Sequence, residues 1–132
     1  MEDVLFSLED ITCIQRIIEA HEGEPWTVYH GIRELWFRNS DSTAEFRLLF
    51  LFDIAMTVSR VSFVKRRVGT MTAVMNYCKQ FAKKHGVNKL VIQSVQTPEM
   101  ARWCLKNGYL PNPSASIEID GLVIGDYEIA CA

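Results

Sequence analysis

The chain has 132 residues, the size of one ordinary domain and too little for two independent cores. Hydrophobic residues make up 48% and charged residues 23%, which excludes a disordered or collagen-like chain and predicts a buried core. Lys plus Arg number 14 against 16 Asp plus Glu, a formal net charge of -2, so there is no overall drive toward nucleic acid or an anionic membrane and any anion site must be local.

Val4, Leu5 and Phe6 form a short apolar run read as a first strand, and Ser7 with Asp10 three residues on reads as the N-cap of a helix. Leu8, Ile11, Ile14, Ile17 and Ile18 recur at helical spacing with Glu9, Gln15, Arg16 and Glu19 between them, and Gly23 ends the pattern. A second helix could begin at Pro25, with Trp26, Tyr29, Ile32 and Leu35 or Trp36 on one side, although the aromatic content leaves a strand open. After the polar loop 39–42, residues 46–52 and 55–64 are rich in β-branched and aromatic side chains and predict two neighbouring antiparallel strands.

The turn 65–69 leads into a helix striped by Met71, Val74, Cys78 and Phe81, which Lys83, Lys84, His85 and Gly86 close. Residues 89–95 read as a strand. Thr97, Pro98 and Glu99 supply the cap, first-turn proline and first-turn acid of a short helix that Gly108 stops. Residues 117–119 and 122–130 flank Asp120-Gly121, a hairpin signal. The whole predicts one α/β (α+β) domain over residues 1–132, with a mixed sheet, a central strand-loop-helix-strand-helix unit and a C-terminal β-hairpin.

No apolar stretch approaches the ~20 residues that cross a bilayer, and the start MEDVLFSLED lacks a basic n-region, giving a cytoplasmic expectation with no membrane partner. Cys13, Cys78, Cys104 and Cys131 are too widely spaced for a Cys-x-x-Cys pattern and read as reduced thiols. No metal site is expected: His21-Glu22 begins like His-Glu-x-x-His, but Pro25 stands where the second histidine should be. The P-loop and Gly-x-Gly-x-x-Gly patterns are absent, because Gly69 has no partner glycine within the window, and Gly-x-Ser-x-Gly is absent too.

The chemistry-bearing segment is the strand 55–64, the turn to Gly69 and the helix from Thr70, because a strand feeding a glycine turn and a helix start aims backbone N–H groups and the positive end of the helix dipole at one spot. Arg66 and Arg67 add charge beside it, and Gly69 allows close approach of a ligand. From about Ala55 to Pro111 the chain resembles the GNAT superfamily of acyl-CoA-dependent N-acyltransferases. Arg66-Arg67-Val68-Gly69-Thr70-Met71 aligns with that family's Gln/Arg-x-x-Gly-x-Gly/Ala loop. Gly86, Lys89-Leu90-Val91-Ile92, Thr97 and Lys106-Asn107-Gly108-Tyr109 follow in register.

The resemblance implies acetyl-CoA as co-substrate, its pyrophosphate held by residues Arg66 to Met71, with Thr97 at the cofactor site, and its pantetheine arm hydrogen-bonded to the backbone of Val61 and Phe63, where the strand splays from the one containing Val91. It implies direct attack by an acceptor amine, of a small molecule or a protein, on the thioester. Cys104 stands where the family has a tyrosine that protonates the leaving thiolate, so Cys104 or solvent would be the acid; Met71 stands where the family has a small residue. The strand 55–60 carries no carboxylate for a base, leaving Glu45, Asp53 and His30. Of the aromatic residues, Trp103 reads as core, whereas Trp26 and Trp36 read either as core or as acceptor lining. The rival reading is a catalytically degenerate protein on the same scaffold, an interaction module or inhibitor. The ribbon from Ser116 to Ala130 could pair with a neighbour's edge to form a homodimer.

Overall fold

Ser7 opens the first helix as its spacing to Asp10 predicts. In the computed structural model, which describes residues 5–63 and 69–131, its hydroxyl accepts from the Asp10 N–H at 3.1 Å while its own N–H donates to the Asp10 carboxylate at 3.0 Å. This capping box starts α1 (Leu8–Glu22), which Gly23 ends in the left-handed conformation. Ile11, Ile14 and Ile18 are buried, whereas Leu8 stays exposed in the first turn. The strand expected at residues 4–6 is not formed by its described residues: Phe6 is irregular and packs edge-on against Phe50 and Phe81, while Val4 lies outside the described residues.

The alternative left open after Pro25 resolves as a hairpin, which corrects the helix expectation. β1 (Trp26–Gly31) and β2 (Glu34–Asn39) pair antiparallel around a turn in which Arg33 takes a positive φ of 75°. The three-residue spacing of Trp26, Tyr29 and Ile32 mimics a helix, but the burial of Leu35, Phe37 and Asn39 follows the two-residue period of a strand. β3 (Glu45–Leu51) and β4 (Ala55–Ser62) complete an antiparallel meander.

From β4 the chain crosses over through α2 (Thr70–His85) to β5 (Lys89–Val95), which lies parallel to β4. α3 (Pro98–Lys106), capped by Thr97, and the ribbon of β6 (Leu110–Ile119) and β7 (Leu122–Ala130) finish a seven-stranded mixed sheet of order β1-β2-β3-β4-β5-β7-β6. Alternation divides the sheet's faces. Phe37, Phe46, Leu48 and Phe50 join Ile14 and Ile18 of α1, Val74, Cys78 and Phe81 of α2, and Ala101 and Cys104 of α3 in one core. The alternate residues Glu34, Trp36, Arg38, Glu45 and Arg47 turn to the other face, where Arg47 pairs with Glu34 and the guanidinium groups of Arg38 and Arg47 lie over the Trp36 ring. Among the described residues no helix is long and apolar enough to cross a membrane.

Candidate active-site cleft

The parallel pairing of β4 with β5 runs from Ala55↔Lys89 to Val58↔Ile92 and stops, whereas β4 stays paired with β3 as far as Glu45↔Ser62. Among the described residues, the edge of residues 59–62 that faces β5 therefore has no strand partner. Two irregularities produce the opening. On β4, Ser59 is an extra residue, since Arg60 pairs with Arg47 and Val58 with Leu48. On β5, Gln93 and Ser94 occupy the interval opposite Asp126, between the pairs Ile92↔Tyr127 and Val95↔Gly125. Ser94 takes a φ of 57°, and its N–H donates to Asp126 Oδ1 at 2.9 Å. Each irregularity bends its strand, and the sheet splits at that level.

Two cavities adjoin along this split, sharing Val61, Thr97 and Met100. The first, about 670 Å³, runs past Phe63 to Gly69, Thr70 and Met71, with Trp103 in its wall. The second, about 580 Å³, is lined by Glu45, Ser59, Arg60, Gln93, Ser94 and Gln96. Glu45 alternates with the core residue Phe46, so this second cavity reaches the sheet face opposite the core.

Of the residues marked from sequence, Val61, Phe63, Gly69, Thr70, Met71 and Thr97 all line the first cavity. Arg66, Arg67 and Val68 lie outside the described residues. Gly69 is the N-cap of α2 at φ 82°, offers no side-chain cap, and has none of the described residues near where a Cβ would be. α1 and α3 instead spend a first-turn amide on a side chain, Asp10 N on Ser7 and Met100 N on Thr97. Met71 is only 9% exposed, its side chain turned into the core.

Cys104 is wholly buried and lines neither cavity, and burial pushes its thiol up to about 12. Of the three carboxylate and histidine candidates, Glu45 stands in the second cavity. Its Oε1 accepts from Trp36 Nε1 at 2.8 Å, and its Oε2 lies 4.0 Å from the Arg60 guanidinium. His30, beside the β1–β2 turn, and Asp53, in the β3–β4 turn, sit at the other end of the meander, where Phe50 N donates to Arg33 O. Trp103, expected in the core, is partly exposed at the cleft, with Nε1 donating to Thr72 Oγ1 at 3.0 Å. Trp26 is buried, and Trp36 sits on the outer face against Glu45. Ser59, Gln93 and Ser94 were missed from sequence; the polar pair Gln93-Ser94 interrupting the run from Leu90 to Val95 was the available signal.

Neither a protein-family model nor a curated protein matches the sequence. Solved structures do match. The ribosomal-protein-S18-alanine N-acetyltransferase from Escherichia coli superposes with a TM-score of 0.55 at 14% identity, over 98% of this chain and 92% of its own. An acetyltransferase of the GNAT family from Staphylococcus aureus superposes with a TM-score of 0.50 at 12% identity, over 75% of this chain and 67% of its own. Nourseothricin acetyltransferase gives 0.54 at 13% identity over 75% of this chain, which spans 65% of that protein's length. With a split mixed sheet and a glycine-capped helix at its mouth, the chain has the fold of the GNAT superfamily of N-acetyltransferases.

Proposed function

We propose that the chain is an acetyl-CoA-dependent N-acetyltransferase that works by direct attack of an acceptor amine. The observation that carries this reading is the continuous opening from the start of α2, where the N-cap Gly69 brings no side-chain cap, past the edge of β4 that β5 leaves unpaired, to a carboxylate on the opposite face. The residues fit the cofactor. Among the described residues a Cβ at Gly69 would meet nothing, Met71 is almost fully buried against the core, and residues 59–62 present main-chain groups that β5 does not pair.

In this reading the amides of Gly69, Thr70 and Met71 hold the pyrophosphate, with Arg66, Arg67 and Val68 completing the loop. The backbone of Val61 and Phe63 binds the pantetheine arm as a strand would, and Thr97 borders the arm where the two cavities meet. Bound acetyl-CoA supplies an activated acetyl thioester. Glu45 takes a proton from the acceptor ammonium, directly or through one water, and the free amine attacks the thioester carbonyl. The C–N bond forms as the C–S bond breaks, and the nitrogen gives its remaining surplus proton to solvent. Solvent protonates the thiolate, because a thiol buried and raised like that of Cys104 is a weak donor to a thiolate with a reference pKa of about 8.5. The acceptor is an amine of a small molecule or a protein. The outer strand β6, with Ile117 and Ile119 exposed, is the edge through which a second copy would pair.

Calorimetric titration with acetyl-CoA, with desulfo-CoA as control and Gly69→Asp in parallel, tests the reading. Saturable binding lost in the variant is expected, because aspartate brings negative charge to the helix start and strains a backbone held at φ 82°. A folded protein that binds neither ligand overturns the enzyme reading in favour of a non-catalytic interaction module.

A further inference from the structure

The first turn of α2 is gripped from both sides through hydroxyl groups. Thr72 Oγ1 accepts from Trp103 Nε1 of α3 at 3.0 Å, and Thr70 Oγ1 donates to Glu22 Oε2 of α1 at 2.7 Å. Glu22 is the last residue of α1, 2% exposed, and 48 positions from Thr70 in the chain. The two helices run antiparallel: Phe6 packs on Phe81, Asp10 meets Tyr77, and Glu22 meets Thr70 at the end nearest Gly69. A carboxylate this buried needs hydrogen bonds to offset its desolvation, and one that Glu22 accepts comes from the first turn of α2.

A side-chain cap of the kind Ser7 and Thr97 provide anchors a first turn by consuming one of its amides. At α2 the anchor is a side-chain hydroxyl, so the turn is held in place without drawing on the amides a phosphate would need. We propose that Glu22 is a positioning residue for the cofactor cleft, acting through Thr70 to fix the direction in which the first-turn amides of α2 point. The inference rests on the reading of this cleft as the acetyl-CoA site.

The test compares wild type, Thr70→Val, Glu22→Met and the double variant for affinity toward acetyl-CoA and toward S-acetylpantetheine, which lacks the pyrophosphate. Thr70→Val keeps the branched shape and removes only the donor, so it secures the comparison if Glu22→Met fails to fold. Each single change should weaken acetyl-CoA by about tenfold, the scale of a lost hydrogen bond to a charged group. The double variant should be no weaker than Glu22→Met alone, since that change already removes the bond from the Thr70 hydroxyl. S-acetylpantetheine affinity should stay constant throughout. Unchanged acetyl-CoA affinity in folded variants overturns the proposal, as does a parallel loss of both ligands, which marks general loosening. A folded wild type that binds no acetyl-CoA overturns the cofactor reading itself, a result separable from the other two.

Discussion

Trp36 and Glu45, on adjacent strands, are joined by an indole N–H that holds one carboxylate oxygen at 2.8 Å, leaving the other directed to the side of Arg60. This fixes the orientation of Glu45 at the wall of the second cavity. A carboxylate so held can receive an acceptor proton without first searching for a rotamer.

Glu45→Gln keeps the shape and the bond to Trp36 but removes the proton acceptor. Turnover on the best acceptor from a panel of polyamines, amino sugars and peptides should fall by about 100-fold. Acetyl-CoA affinity, measured by calorimetry, should be unchanged. Equal turnover in the variant would remove Glu45 from the mechanism.

Trp103 offers an optical readout of the first cavity, because its indole lines the wall and is bonded to Thr72. Acetyl-CoA should change tryptophan emission, and Trp103→Phe should abolish most of the change, leaving the buried Trp26 and the outer-face Trp36 as background. A signal of full size in the variant would place the ligand elsewhere.

The thiols should divide by burial. Iodoacetamide at neutral pH should modify the partly exposed Cys13 and, more slowly, Cys131, whose thiol burial raises. Cys78 and Cys104 should react only in denaturant. Rapid native labelling of Cys104, read by mass spectrometry, would restore it as a candidate acid.

Acid stability should depend on Asp10. Burial raises its carboxyl, but hydrogen bonds from Tyr77 and Ser7 outweigh that and hold it below the ordinary 3.8. A depressed folded value means that the stabilisation is complete above the unfolded value and drains away as pH falls through the folded one. Wild type should therefore melt at lower temperature as pH drops from about 5 toward 2, where the unfolded carboxyl takes its proton first. Asp10→Asn should show a shallower slope over that range and a melting temperature some degrees lower at pH 7. Identical slopes would show that the pair contributes nothing to acid unfolding.

What the sequence revealed was local. Ser7, Gly23, Gly86 and Thr97 marked helix ends because capping is decided by neighbours a few residues away. The hairpin β1–β2 was harder, since Trp26, Tyr29 and Ile32 satisfy a helical period, and only pairing with β3 makes the alternating pattern pay off in burial. The glycine turn of the cleft was legible for the same local reason as the caps. The extra residue Ser59, the bond of Trp36 to Glu45 and that of Glu22 to Thr70 were not, because each depends on strand register or on helices meeting at long sequence separation. Trp103 shows the limit from the other side: helical spacing marks an inward face but does not tell a core from the wall of a cleft.

The short ladder between β4 and β5 also has a mechanical meaning. The meander β1–β4 and the group β5-β7-β6 are each stitched by antiparallel ladders, yet among the described residues the two half-sheets pair only between Ala55↔Lys89 and Val58↔Ile92. The seam that opens the cleft is thus the least-stitched line in the sheet. A ligand lying along the unpaired edge of β4 would add hydrogen bonds across that line, so that filling the cleft and fastening the two half-sheets would be one event.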